Sequence, residues 1–324
     1  MSRILLTGGT GFLGSHVAEH LVEAGHDVRA TVRASSDTRW VDPLPVETVV
    51  ADLEDPAALS AALAGVTDVV HVGGVTIAAD PAIFERVNRA GTLALAAAAG
   101  RAGVERFVFV SSLAARGPDQ SEGPVSPYGR SKRAAEQGLD ALVEAGEAPA
   151  IVRVVRPGGI YGPRDPDMLA LFRMAARGLL ILPSVEGRLQ PVHVADAARS
   201  VVRALEAADP AASPRAPLPV VADEVVTWTD VGEALEAAVG RSTRVLRVPP
   251  ALFLAAGAMA ELAARLTGGA PIFDRRRARD LTLRTFTSEI ETTRAAIGWT
   301  PEVSLREGMA ETVEWYREQG WMTR

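Results

Sequence analysis

The sequence predicts an α/β fold: a doubly wound parallel sheet followed by a smaller C-terminal α+β domain. Three observations carry this. Apolar runs alternate with amphipathic segments through the first half, a glycine-rich turn joins the first strand to the first helix, and the alternation loosens after Pro157. Alternating strands and helices build a parallel sheet with helices on both faces, and such sheets bind ligands at the carboxyl ends of their strands. The first strand is the apolar run 4–7, and 11–24 repeats apolar residues at helical spacing. Segments 27–33 and 46–51 read as the second and third strands, with 56–64 as the helix after them. The series continues with a strand at 68–72, a helix near 81–101, a strand at 106–111, a helix near 127–145 and a strand at 150–156. Beyond Pro157, turns at Gly158-Gly159, Gly162-Pro163 and Pro183 precede a helix near 194–207 and a proline-rich connection over 210–219. The run 312–316 belongs to the last amphipathic helix. The expected division is 1–164 for the larger domain, with 190–225 returning to it, and 165–189 with 226–324 for the smaller one.

Composition narrows the function classes. A chain of 324 residues suits one large α/β domain with a smaller partner. The net charge of -6 lacks the basic footprint that nucleic acid requires. The absence of cysteine removes disulfides, thiolate metal sites and a cysteine nucleophile together. The N-terminus enters an apolar strand with no room for a leader, so the expected location is the cytoplasm. The apolar stretch 249–260 falls short of the ~20 residues of a membrane span, so a buried helix or an oligomer contact is expected there. The histidines at 16, 20, 26, 71 and 193 form no metal-ligand pattern, and His16 and His20 are expected on a helix surface. No metal is expected.

The turn Thr7-Gly8-Gly9-Thr10-Gly11-Phe12-Leu13-Gly14 follows the first strand and opens the first helix. Gly8 permits a tight turn, Gly11 lets the backbone approach a pyrophosphate, Gly14 allows close helix–sheet packing, and the helix N-terminus faces the anion. This is the context of a Rossmann-type dinucleotide site. The T-G-x-x-G-x-x-G spacing resembles that of the extended short-chain dehydrogenase/reductases, the NAD-dependent epimerase/dehydratase superfamily. The second strand ends in Arg33, with no acidic residue before Asp37. A guanidinium there attracts a 2′-phosphate, so NADP(H) is preferred and NAD(H) remains open; a solvated surface arginine is the competing reading. Asp52-Leu53 resembles the family's adenine-contacting pair. The run from His71 through Val72, Gly73 and Gly74 to Val75 would pass close to the cofactor.

The chain contains a single lysine, Lys132, four residues after Tyr128. On a helix these share a face, so the ammonium can stand near the phenol and favour the phenolate. Ser111 and Ser112 end the strand at 106–110, and either hydroxyl could donate to a carbonyl oxygen; the resemblance selects Ser112. It also implies cofactor contacts at Phe12, Leu13, Val110, Pro157 and Gly158, the last two from Arg156-Pro157-Gly158-Gly159-Ile160-Tyr161-Gly162-Pro163. Asn88 matches the family's helix asparagine, which either braces neighbouring strands or touches cofactor.

The resemblance implies an oxidoreductase that moves a hydride between nicotinamide and a ketone, aldehyde or secondary alcohol, with catalytic residues Ser112, Tyr128 and Lys132. An NAD-retaining epimerase or dehydratase acting on a nucleotide sugar is the alternative, and a non-enzymatic dinucleotide sensor is a third class. Gly25-His26-Asp27 followed by VRATVR looks like the dihydroflavonol-reductase branch. Where the nucleotide-sugar branch carries a diphosphate-binding arginine this chain has Leu189, with Arg188 one place off. The candidate substrate contacts Val75, Thr76, Leu113, Ala114, Ile160, Tyr161 and Met168 are mostly apolar and suit a moderately hydrophobic carbonyl compound. His193 and Asp196 are expected to cap or pack a helix start. The cluster Arg275, Arg276, Arg277 and Arg279 is expected on a solvated helix face. Family members are commonly homodimers through the helices that include 93–99 and 132–142.

Overall fold

The computed structural model describes residues 2–323 apart from 79, 119–122, 186, 208–215, 268–277 and 279–284. The first half runs β1 (Arg3–Thr7), α1 (Phe12–Glu23), β2 (Asp27–Val32), β3 (Val46–Val50), α2 (Pro56–Ala62) and β4 (Asp68–His71). Next, α3 (Pro81–Phe84) passes through a π-helical turn (Glu85–Gly91) into α4 (Thr92–Arg101). β5 (Arg106–Val110), α5 (Pro127–Glu144) and β6 (Ile151–Pro157) follow. The second half contains β7 (Ile160–Tyr161), α6 (Leu169–Ala176), β8 (Leu179–Pro183), β9 (Arg188–Leu189), β10 (Val192–His193), α7 (Val194–Glu206) and β11 (Leu218–Val220). It ends with α8 (Trp228–Val239), β12 (Arg244–Val248), α9 (Pro250–Thr267), β13 (Thr285–Phe286), α10 (Glu291–Ile297) and α11 (Leu305–Glu318).

Seven strands form one parallel sheet in the order β11-β6-β5-β4-β1-β2-β3. The period-two alternation of strand side chains divides its core into two layers. Ile4, Leu6, Val70, Val108 and Val110 point to one face, where they meet Val17 and Leu21 of α1 and Val201 of α7. Leu5, Val69, Phe107 and Phe109 point to the other, against Leu59 of α2, Leu95 of α4 and Leu139 of α5. The near-continuous apolar strands of the sequence are therefore strands buried on both faces. Asp68 is fully buried and pairs with Arg106 Nε at 2.5 Å and NH2 at 2.9 Å, fixing the entry of β4 beside that of β5.

β11 returns to the sheet beside β6, and α7 lies against α1. A third core holds Tyr161, Phe172, Leu180, Leu182, Trp228, Leu235 and Tyr316, drawn from β7, α6, β8, α8 and α11. α8 and α11 each begin with a reciprocal capping box, Thr227/Asp230 and Ser304/Glu307, so their starts are locally encoded.

Two expectations are corrected. His16 is buried rather than on the helix surface, because the segment at Pro163 crosses α1 and its carbonyl bonds His16 Nε2 at 3.0 Å. The stretch 249–260 is the start of a longer helix, α9, whose outward face is exposed, so it is not a buried helix. No helix among the described residues is long and apolar enough to cross a membrane.

Candidate active site

The strand order reverses between β1 and β4, and their register places Thr7 opposite His71, so the carboxyl ends of both strands open one crevice. Gly8 adopts φ 75°, and a Cβ there would lie 2.6 Å from the Gly73 nitrogen. A Cβ on Gly14 would lie 1.9 Å from the Gly8 carbonyl oxygen. Only glycine permits this approach of the two loops. Gly11 begins α1 with no side-chain cap, which leaves the first-turn amides directed at the crevice. Uncapped amides above a backbone cradle are what a pyrophosphate needs, so these residues fit a dinucleotide. Phe12 is half-buried edge-on to His16, and Leu13 is buried in the core.

A buried polar strut supports the cradle. His71 Nδ1 bonds Thr7 Oγ1, and Nε2 bonds Thr92 Oγ1 at 2.9 Å. Burial, with Lys132 adding repulsion, pulls the His71 pKa down to about 3, so the ring is neutral and structural. Asn88 is fully buried, and its amide accepts from Val75 N at 2.8 Å and donates to Val75 O at 2.9 Å and Ser131 Oγ at 3.1 Å. Of its two readings the bracing one describes this geometry, since its polar atoms serve the loop that carries Val72, Gly73 and Gly74. Arg33 lies exposed just past β2, its backbone nitrogen bonded to Ser36 Oγ. Asp52 is exposed and caps Glu54 N, while Leu53 is half-buried where a Gly91 Cβ would touch it.

The second half of the site is built on α5. Ser126 caps the Gly129 nitrogen and Pro127 occupies the first turn, so the helix starts one residue before Tyr128. Tyr128 is half-buried, with the Phe84 ring edge-on. Burial raises its pKa, and the Ser112 side chain beside the phenol opposes that rise. Ser112 Oγ also accepts from Ala114 N at 3.2 Å. Ser111, the other candidate, is turned away and donates to Glu136. The structure thus presents Ser112, not Ser111, to the phenol.

Lys132 is buried. Its ammonium donates to the Val110 carbonyl at 2.9 Å and stands 4.7 Å from the Phe109 ring centre. Burial lowers its pKa to about 8, and Glu136 works against that fall. These partners hold the ammonium at the strand end, one helical turn along α5 from Tyr128. Glu136 was not anticipated. It accepts from Ser111 and from Arg156 Nε at 2.8 Å, and its second oxygen pairs with Arg156 NH2. Tyr128, Lys132 and Glu136 are spaced four apart on one face of α5, so helical spacing could have pointed to Glu136. Arg116 was also unforeseen: it bonds Ser288 Oγ and the Thr287 carbonyl, tying the loop after Ser112 to the segment before α10.

Pro157 ends β6 in a buried position, and a Cβ on Gly158 would lie 2.9 Å from Val221 Cγ1. Of the expected substrate contacts, Tyr161 is a core residue, 2% exposed and edge-on to His193, so it does not face the crevice. Leu113 is buried and Met168 packs on the third core, whereas Thr76 is exposed. Asp196 is a buried anchor whose carboxylate accepts from Glu302 N and Val303 N, and His193 packs without capping α7. Arg275, Arg276, Arg277 and Arg279 lie outside the described residues. Among the described residues no cluster of His, Cys, Asp or Glu could hold a metal. A separate cavity of about 220 Å³ between Pro191, Ala222 and Leu305 is lined by none of the site residues.

A seven-stranded parallel sheet with this glycine cradle is the fold of an extended short-chain dehydrogenase/reductase. Residues 4–216 match the NAD dependent epimerase/dehydratase family, and the chain belongs to that family. It is 35% identical to the ceramide reductase of Caulobacter vibrioides, covering 99% of this chain and 96% of that protein. It is 34% identical to the sterol demethylase protein B of Methylococcus capsulatus over 57% of this chain and 58% of that one. Among solved structures, the UDP-glucose 4-epimerase of Thermus thermophilus in complex with NAD superposes with a TM-score of 0.75 at 26% identity, covering 97% and 99% of the two chains.

Proposed function

We propose that the chain is a dinucleotide-dependent carbonyl reductase acting on an apolar, lipid-like ketone or aldehyde. The observation that carries the reading is the closeness of the Ser112 side chain to the Tyr128 phenol at the carboxyl end of β5, one helical turn from the only lysine and beside the glycine cradle. The likeness to a ceramide reductase across nearly the whole chain supports the substrate class, and the apolar character of Ala114 and Ile160 agrees with it.

A bound nicotinamide dinucleotide supplies the hydride that the carbonyl carbon receives. Ser112 donates to the carbonyl oxygen and Tyr128 delivers the proton that makes it a hydroxyl. Lys132 holds positive charge at the strand end, where it favours a phenolate after the proton has left and can bind ribose hydroxyls. Gly8, Gly11 and Gly14 shape the pyrophosphate cradle, with Phe12 and Leu13 opening α1 beneath it. Val72, Gly73 and Gly74 form the opposite wall, braced by Asn88. Val110 positions Lys132, while Pro157 and Gly158 border the nicotinamide end. Asp52 and Leu53 receive the adenine, and Arg33 receives a 2′-phosphate, so NADP(H) is preferred.

The test is a titration of the purified protein with NADPH and NADH, followed by turnover with long-chain ketones. Micromolar NADPH binding, at least tenfold tighter than NADH and reduced by Arg33→Ala, supports the assignment. Protein that purifies with tightly held NAD, and catalyses no net oxidation of it, overturns the reductase reading. That outcome favours an NAD-retaining epimerase or dehydratase, the reading supported by likeness to the NAD-bound epimerase.

A further inference from the structure

The outward face of α9 has the polarity of a core. Leu252, Ala255, Ala256, Met259 and Leu262 recur at the spacing of a single helix face, and all five are exposed. Leu252 and Leu262 are each 59% exposed and Met259 is 72% exposed. Gly257, on the other side, is buried, and no charged residue interrupts 249–260. The strand leading into the helix, β12, exposes Val245 and Leu246, and its partner β8 exposes Leu179. Arg177 and Arg241 precede β8 and β12, and Arg244 opens β12; all three are exposed, Arg241 NH1 bonding the Ala176 carbonyl at 3.1 Å, and neither strand contains an acidic residue, in a chain of net charge -6.

We propose that α9 and the β8–β12 edge seat the protein in the plane of an anionic lipid bilayer. Apolar side chains would enter the headgroup boundary, and the arginines would face lipid phosphates. Charge decides between this occupant and a second copy of the chain. A two-fold interface through the same patch would set one arginine rim against another, whereas anionic headgroups complement it. The helix lies in the interface and does not cross it, since no described helix is long and apolar enough to span. If the proposed function is right, this seating holds the crevice at the surface where a lipid ketone resides; that consequence rests on that reading, but the docking does not.

The experiment is flotation of the full-length protein with phosphatidylcholine vesicles and with vesicles containing about 30% phosphatidylglycerol. The wild type is expected to float with the anionic vesicles at least tenfold more than with the neutral ones, and less in about 0.5 M salt. The triple variant Leu252→Ser, Met259→Ser, Leu262→Ser should lose flotation at least tenfold while binding dinucleotide as before, which verifies its fold. Arg241→Gln with Arg244→Gln should erase the preference for anionic vesicles. Wild type that stays with the pellet, or a triple variant that floats equally well, overturns the proposal. So does a dimer that the triple variant dissociates without any vesicle binding, which would make the face a contact between copies. Intact flotation without lipid-ketone turnover would sink the proposed substrate and leave the docking standing.

Discussion

Replacing Glu136 by glutamine should discharge Lys132 near neutral pH. The lysine is buried and its pKa stands at about 8, with Glu136 the group that holds it up. Side chains four apart on a helix have Cβ atoms about 5–6 Å apart. A charge separation of about 6 Å at an effective dielectric of about 20 gives roughly 3 kcal/mol, or about two pKa units. In Glu136→Gln the lysine should therefore titrate near ~6, falling from mostly charged at pH 7.5 to almost wholly neutral. Because Lys132 is the only lysine, isotope-labelled lysine yields a single side-chain resonance whose pH midpoint reads this directly. Dinucleotide affinity at pH 7.5 should drop about tenfold or more, the magnitude of one charge-assisted hydrogen bond. Glutamine retains the volume and an acceptor for Ser111, but Arg156 loses its carboxylate, so folding is checked by circular dichroism at each pH. A resonance midpoint that stays near 8 in the folded variant, or lies near 10 in the wild type, would refute the reasoning.

Three further outcomes are expected. Tyr128→Phe should lower turnover by about 10²–10⁴-fold with dinucleotide affinity unchanged; activity within a few-fold of wild type removes Tyr128 as the proton donor. Gly14→Ala should destabilise the fold by about 3 kcal/mol in urea titrations, because its Cβ would meet the Gly8 backbone oxygen at 1.9 Å; an unchanged midpoint would contradict the cradle geometry. Burial holds His16 and His71 at about 3 and His193 at about 4. These rings stay neutral in the fold while the unfolded chain takes up protons below about 6.5, so their stabilisation is complete above that pH and lost as it falls. At pH 5 the three together remove roughly 6 kcal/mol, comparable to the stability of a whole domain. Thermal melts at pH 7 and pH 5 should differ sharply, and equal melting temperatures would show the rings charging without unfolding.

The sequence by itself determined whatever local spacing encodes. The alternation of apolar runs specified a parallel sheet buried on both faces, and the glycine spacing after β1 marked the cradle. The four-residue step from Tyr128 to the only lysine brought both onto one face of α5. The charge-free apolar stretch 249–260 is legible in the sequence, but not what its face meets, since an apolar helix reads the same facing a core or solvent. Only the tertiary structure decided partners contributed by distant elements. Arg156 meets Glu136 because β6 lies beside β5 under α5, and His71 bonds Thr7 and Thr92 because three separate elements converge. Asp196 holds the backbone at Glu302 and Val303, a contact across more than a hundred residues that no local pattern announces. Tyr161, expected at the substrate, is drawn into the third core by Phe172, Trp228 and Tyr316. A side chain's spacing along the chain sets the face it occupies, while its environment is set by which other surfaces fold against that face.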